Sequence, residues 1–537
     1  MDHRRQPPDD TGRAAIRQLR HRLRVVWHVF RSRFAVDTRS LAALRITLGL
    51  TLLVDLVHRA GSLRLLYTDD GVYPLAVYAS TYRQYTGLSI HALSGELWLQ
   101  QLLFVIAGLV AVAFLLGYRT RLTGAISLVL LFSLHARNPA VLNGGDRLLR
   151  VLLFVALFSP LGERWSIDAL RRPTTHSSES TDGQEPARRQ EVSFGTVALL
   201  AQPLVIFSTN ARLKHDGETW YAGDALEIAL HNDVMSIGIG NVLTEFPTVL
   251  TLLTYGWVGL LAGSVVVLFV PTGRLRALAA VVYIGAFAGM ALVLSVGLFP
   301  LVLAASVMPY LTAPLWDWLT RRLPARWRAR QPTADTLGRL GGKPIERRLL
   351  AVVRRRGYRS AADYAVTSAR SLLTVGSLLV IVWMLVFAGA HVSSTEIPAT
   401  VDNPHLDQQR WGLYAPDPSE AYSWYLLEAD VDGETTIVET GGTAQQFDRP
   451  PDASQTYATF RHRKYMQTVR DSSGDDRRDT IAVAYVTRAC SELSSAHDQP
   501  PDTVRLYRIY QSSPLDGEFS EPRTVQIFDH ECQRQAG

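Results

Sequence analysis

The chain has 537 residues, a formal net charge of +6 and a mean hydropathy of +0.06, which fits neither a uniformly soluble nor a uniformly apolar protein. The near-zero mean averages two materials: apolar runs dominate 40–313 and 371–390, and the remainder is polar. The basic residues cluster beside the apolar runs, which points to a membrane surface as partner and away from nucleic acid.

The N-terminal segment, 1–36, opens an arginine-rich stretch with ten arginines by residue 39, and it stays weakly apolar until Leu41. The first apolar run is therefore expected to anchor the chain and not to be cleaved as a signal peptide. Runs of about 18 or more apolar residues predict membrane helices, since about 20 residues at about 1.5 Å rise cross a hydrocarbon core of about 30 Å. Nine are expected, near 40–58, 97–117, 121–138, 146–162, 193–211, 246–270, 275–293, 295–313 and 371–390. The pair flanking Gly297-Leu298-Phe299-Pro300 could equally be one broken helix.

Arginine placement orients this threading. The 314–370 stretch carries thirteen arginines and one lysine against four acids, Arg119 and Arg121 follow the second run, and Arg274 and Arg276 follow the sixth. All fall on one side, which the positive-inside rule makes cytoplasmic. The N-terminus is then inside, and 59–96, 139–145, 212–245 and 391–537 are outside. Residues 163–192 read as a polar cytoplasmic linker. Residues 323–360 read as basic surface-lying segments, with Trp316, Trp318 and Trp327 as interfacial anchors.

Residues 391–537 hold 24 acids against 13 bases, the reverse of the inner face. Strands are predicted at Ala421–Glu428, Thr435–Glu439, Val504–Tyr510 and Thr524–Phe528, and helices at Ser454–Arg470 and Asp479–Ser494. The only cysteines, Cys490 and Cys532, both lie here; they read either as one disulfide tying the C-terminal tail to a helix or as two unpaired thiols. One nearby histidine, His530, is too few ligands for a metal site. The expected fold is an all-α polytopic membrane bundle of about nine transmembrane helices (37–320 and 371–390). It carries basic cytoplasmic segments at 1–36 and 321–370 and a small α+β extracytoplasmic domain at 391–537.

Several polar residues stand out against this frame. Arg45 and Asp55 lie in the first run, about 15 Å and roughly 80° apart on a helix, so an interior role for either needs partners on other helices. Both could instead reach the headgroups from near the run's ends. The turn His135-Ala136-Arg137-Asn138-Pro139-Ala140-Val141-Leu142-Asn143-Gly144-Gly145-Asp146 is dense in polar groups, and Asp146 is placed to cap the next helix. Lys214 is one of three lysines, with Lys343 and Lys464, in a chain with fifty-two arginines. Arginine cannot lose its proton usefully, whereas lysine can be tuned to do so. Lys214 sits at the outer mouth of the fifth run, followed by Asp216 and Trp220. A plain surface pair with Asp216 is the bland alternative, although two residues turn a helix by about 200°.

Taken together, Leu44-Arg45-Ile46 through Asp55, Asp70-Gly71-Val72-Tyr73-Pro74, Leu116-Gly117-Tyr118-Arg119-Thr120-Arg121, Arg137-Asn138-Pro139, Asn143-Gly144-Gly145-Asp146 and Lys214 through Trp220 resemble the HTTM (horizontally transferred transmembrane) domain. That module is related to vitamin K-dependent gamma-carboxylase, and the resemblance runs from about residue 35 to 320. Beyond it, Gln409-Arg410-Trp411-Gly412-Leu413-Tyr414-Ala415-Pro416-Asp417-Pro418 resembles the segment that follows the last span in many members. The resemblance implies that Lys214 is the base that deprotonates a reduced menaquinone or vitamin K-type quinol, with oxygen and carbon dioxide as further reactants. Arg45, Asp55, His135, Asn143, Asp146, Asp216 and Trp220 would shape the pocket. A free lysine, with pKa about 10.4, is too basic for this near neutrality, and desolvation shifts it in the needed direction. The chain departs from the carboxylases in reading Gly145-Asp146 where they carry a histidine, and Phe287 where related modules often carry another. Its C-terminal domain is also smaller than their substrate-handling region. Three readings follow: a quinol-dependent oxygenase or carboxylase-like enzyme; a non-catalytic anchor presenting the C-terminal domain to a protein or envelope component; and, suggested only by the intramembrane charges, a transporter.

Overall fold

The computed structural model describes residues 10–171, 190–322 except 233, scattered positions between 364 and 386, and 412–532 apart from 432, 439–446, 451–456, 471–475, 497–500 and 516–517. Most of the expected linker at 163–192, the basic stretch 323–363 with Trp327, and Gln409-Arg410-Trp411 lie outside the described residues.

Eleven of the sixteen α-helices among the described N-terminal residues frame the bundle. They are α1 (Asp10–Phe34), α2 (Thr38–Ala60), α3 (Leu97–Leu115), α4 (Thr120–Arg137), α5 (Gly144–Ala156), α6 (Phe194–His215), α7 (Ala225–His231), α8 (Pro247–Ala262), α9 (Gly273–Val293), α10 (Phe299–Val307) and α11 (Ala313–Arg322), joined by shorter helical turns. Local chemistry starts many of them. Asp37 caps α2 by accepting from the Arg39 amide, Asn143 and Asp146 form a reciprocal capping box on α5, and Ser193 and Thr196 do the same on α6. Pro247 and Pro300 occupy first-turn positions of α8 and α10, where a missing N–H costs nothing. The two-residue strands β1 (Val36–Asp37) and β2 (Gln190–Glu191) pair antiparallel and pin the start of α2 beside the start of α6.

Four helices, α2, α3, α6 and α9, are long and apolar enough to cross a membrane; α10 with its following turn and α11 make a fifth only if a pair bent by 100° counts as one span. The nine expected spans therefore reduce to four or five among the described residues. The other apolar runs among the described residues are helical but do not combine that length with that hydropathy. Helix α5 has 13 residues, about 20 Å of rise, and α8 has 16 before a π-helical turn at Val265–Phe269. The run near 371–390 contains a short apolar helix, Thr374–Trp383, which passes over residues outside the description. Around Gly297 the chain makes two helices, α9 and α10, not one broken one. Gly297 sits at φ +67°, and a side chain there would also meet the Phe460 ring. The bundle core is aliphatic, with Leu44, Leu48, Leu148, Leu152, Leu199 and Val302 fully buried.

The C-terminal part is a four-stranded antiparallel sheet in the order β4-β3-β5-β6, from β3 (Ala421–Val431), β4 (Glu434–Val438), β5 (Thr503–Ser512) and β6 (Arg523–Glu531). Two helices, α12 (Phe460–Arg470) and α13 (Asp476–Ala496), accompany it, so all six predicted elements are present with shifted ends. Cys490 on α13 is disulfide-bonded to Cys532 just past β6, with Cα atoms 5.7 Å apart. This domain is not hung on a tether. Leu427, Tyr465, Met466, Ile481 and Val486 share one apolar core with Leu66, Tyr67, Val72, Tyr73 and Val141 of the N-terminal part. Tyr465 donates to Val72 O at 2.8 Å, and Thr468 donates to Ala140 O at 2.8 Å.

Candidate functional site

Helix α6 ends at His215, and its last turn presents Lys214 to the segment 412–417 that crosses over it. Lys214 is 3% exposed. Its Nζ donates to Leu413 O and Tyr414 O, each at 2.8 Å, and lies 3.5 Å from the centre of the Trp220 ring. Trp220 is itself held, donating from Nε1 to Tyr414 O at 3.0 Å. Asp417 fixes the turn that carries Trp220 by accepting from the Glu218 amide (3.1 Å), the Thr219 amide (3.0 Å) and Thr219 Oγ1 (2.5 Å). Burial would raise the Asp417 pKa, but these hydrogen bonds outweigh it and hold the carboxyl below its ordinary range. Close passage of the two segments needs Gly217, where an added Cβ would sit 2.4 Å from Pro416 O.

Lys214 lines one end of a cavity of about 630 Å³ enclosed by α6, α7, α8, α9 and α10. The walls are aliphatic and aromatic, among them Phe207, Leu230, Leu261 and Phe287, and Asn210 joins Lys214 as a polar lining residue. Gly256 of α8 and Gly285 and Gly289 of α9 also line it, and a side chain added at any of the three would meet nothing within 4 Å. Leu252, Leu253 and Val282, also in the lining, are exposed on the bundle's outer surface, so the cavity opens sideways between α8 and α9.

A second cavity, of about 510 Å³, lies across Leu413 and Phe299, which line both. Its lining is more polar, with Asn143, Arg147, Asp216, Arg463 and Lys464. Arg463 donates to Val234 O at 2.6 Å and to Ser295 O, and Lys464 donates to Gln467 Oε1 at 2.8 Å; neither meets a carboxylate among the described residues. Burial first, and then neighbouring Arg463, push the Lys464 amine down to about 8.

The remaining charges form a third centre. Asp55 and Asp146, 1% and 2% exposed, are bridged by two guanidiniums. Arg59 donates to Asp55 at 2.8 Å, to Asp146 at 2.6 Å and to the Tyr67 hydroxyl at 2.5 Å. Arg461 of α12 donates to Asp55 at 2.9 Å, to Asp146 at 2.5 and 2.7 Å, and to Val141 O at 3.0 Å. His135 Nε2 lies 3.1 Å from Arg59 and 3.6 Å from Asp146. Donor atoms of Asp55, His135 and Asp146 fall within 4.8 Å of one another, a spacing that a divalent ion could use, but Arg59 and Arg461 already place two positive charges against the two carboxylates.

The single pocket expected from the sequence thus divides. Lys214 and Trp220 meet at the apolar cavity, and Asn143 and Asp216 line the polar one. Asp55, His135 and Asp146 belong to the ion cluster and line neither cavity. Arg45 is in none of the three centres: its guanidinium donates to Leu161 O, Arg164 O and Trp165 O at 3.1, 3.1 and 2.5 Å, fastening the turn after α5. Asp216 pairs with Arg212 and not with Lys214, because the helix turns it away. Sequence reading missed Arg59 and Arg461, and it marked Leu413 and Tyr414 only as part of the segment after the last span, not as partners of Lys214. The Asp55–Arg59 spacing of four and the basic run Arg461-His462-Arg463-Lys464 inside an acidic domain were signals for the first two; backbone carbonyls leave none.

No curated protein and no solved structure matches the chain. A family model described as the HTTM domain matches residues 34–316, more than half of the 537. The match takes in α2 to α10, the whole apolar cavity apart from Leu413 and Tyr414, and the ion cluster apart from Arg461. On that match, this chain belongs to the HTTM domain family.

Proposed function

We propose that the protein is a quinol-dependent membrane oxygenase or carboxylase-like enzyme in which Lys214 is the base. The supporting observation is a buried amine, without a carboxylate in contact among the described residues, lining an apolar cavity of about 630 Å³ that opens sideways from the bundle. A reduced menaquinone or vitamin K-type quinol joins a polar ring to an apolar tail, and this lining suits both. Lys214 and Asn210 would hold the ring, and Phe207, Leu261 and Phe287 would hold the tail. Such a quinol supplies an acidic ring hydroxyl and reducing equivalents for oxygen. A neutral Lys214 keeps its two hydrogen bonds with its two N–H groups and accepts the proton on its lone pair. Once charged, it is stabilised by the Leu413 and Tyr414 carbonyls and by the face of Trp220. The adjoining polar cavity, with Arg463 and Lys464, is then where carbon dioxide or an acidic acceptor would be received. The arginine distribution supports a cytoplasmic N-terminus, and an odd number of crossings would then set Lys214 and the C-terminal domain at the outer face.

The hydrogen bonds from Lys214 to 413–414 also favour a second reading, in which the lysine fastens the C-terminal segment to α6 and the protein is a non-catalytic scaffold. Purified protein incubated with reduced menaquinone and oxygen separates the two. The enzyme reading expects a quinone epoxide from the native chain and none from Lys214→Arg, which keeps charge and donors. A native chain that binds the quinol but never turns it over, together with a silent Lys214→Arg, establishes the scaffold.

A further inference from the structure

A groove of about 1050 Å³ is lined by α4, α5 and, among the described residues beyond them, Gly376, Leu379 and Trp383; it adjoins the polar cavity at Arg147, which lines both. Its lining is graded. Arg147 and Arg150 stand in the first half of α5, with Gln84 and Tyr85 at the same mouth; Val151, Phe154 and Phe158 continue the same face at helical spacing. Among the described residues Arg150 has no ion pair or hydrogen bond; its guanidinium lies 5.9 Å from the centre of the Phe132 ring. It is about 9 Å from the helix start, beside the exposed apolar side chains of Val129 and Phe154, where a guanidinium without a contacting counter-ion is costly.

We infer that this groove binds an anionic phospholipid, with the phosphate against Arg150 and Arg147 and an acyl chain along Val151, Phe154 and Phe158. Charge complementarity selects the occupant. A cation at the mouth calls for a net negative headgroup, and the apolar run below it calls for a chain that a free oxyanion lacks. Two arginines on one helix turn also suit a phosphate's several acceptor oxygens.

The test is native mass spectrometry of the full chain released from mixed micelles holding phosphatidylglycerol and phosphatidylcholine of identical chains, with glycerol 3-phosphate as competitor. Retention should favour phosphatidylglycerol by about fivefold or more. Arg150→Gln should abolish that preference, Arg150→Lys should keep most of it, and glycerol 3-phosphate should not displace the lipid. Equal retention of the two lipids, or an unchanged preference in a folded Arg150→Gln protein, overturns the assignment. Displacement by glycerol 3-phosphate overturns it too, because the acyl chain would then contribute nothing.

Discussion

Arg461 carries a positive charge of the C-terminal domain into the ion cluster of the bundle. Replacing it with methionine keeps much of the side chain's length but removes the charged donors that meet Asp55, Asp146 and Val141 O. The cluster then holds two buried carboxylates against one guanidinium, that of Arg59. Breaking a buried ion pair by deleting one partner costs about 3–5 kcal/mol, because the partner stays buried without compensation. At about 2–4 °C per kcal/mol for a domain of this size, the melting temperature in detergent should fall by about 6–20 °C. Adding Asp146→Asn to Arg461→Met restores charge balance and should recover part of the loss, so the double-mutant cycle should show coupling of about 1 kcal/mol or more. The assay is intrinsic tryptophan fluorescence during thermal unfolding, with domain separation followed by limited proteolysis. A fall of less than about 1 kcal/mol in Arg461→Met, with strictly additive effects in the double variant, would refute the view that this cluster joins the two parts.

Gly285→Leu places a side chain into open space in the cavity lining, so binding of a labelled menaquinone analogue should be lost while the helix gains up to about 1 kcal/mol of propensity; retained binding would remove the cavity from the ligand's path. Cys490→Ser opens a loop spanning 42 residues and should destabilise the C-terminal domain by about 2–4 kcal/mol in denaturant titration, with a smaller effect on the bundle. Burial pushes His462 down to about 4 from 6.5, so it is neutral when folded and takes up a proton on unfolding. Its contribution is present above pH 6.5 and is lost as pH falls towards 4, by about 1 kcal/mol per pH unit. His462→Gln should flatten that slope in a chemical denaturation series, and an unchanged slope would assign it to other groups.

Much of the architecture could be read from the chain because it depends on local composition. Long apolar runs gave helices, alternating residues in 421–531 gave strands, and two cysteines confined to one domain made a disulfide one of only two readings. Of the nine expected spans, four or five meet the length and hydropathy of a membrane span among the described residues, because a run of apolar residues does not fix where its helix starts and stops: α5 closes after 13 residues and α8 passes into a π turn. The site was only partly legible. Lys214 stood out by its rarity and Trp220 by its neighbourhood, and both do meet.

What the sequence by itself determined is what each segment prefers: which runs avoid water, where helices are capped, and which rare amine stands at a helix end. Only the tertiary structure decided which charges are neighbours. Asp55 and Arg461 are 406 positions apart and in contact, while Asp216, two residues from Lys214, faces another partner. Preference for lipid or water is a property of nearby side chains, whereas pairing of buried charges is decided by how the helices and the C-terminal domain pack. That packing carries Leu413 and Tyr414 over the lysine and makes a cavity end of what would otherwise be an exposed helix terminus.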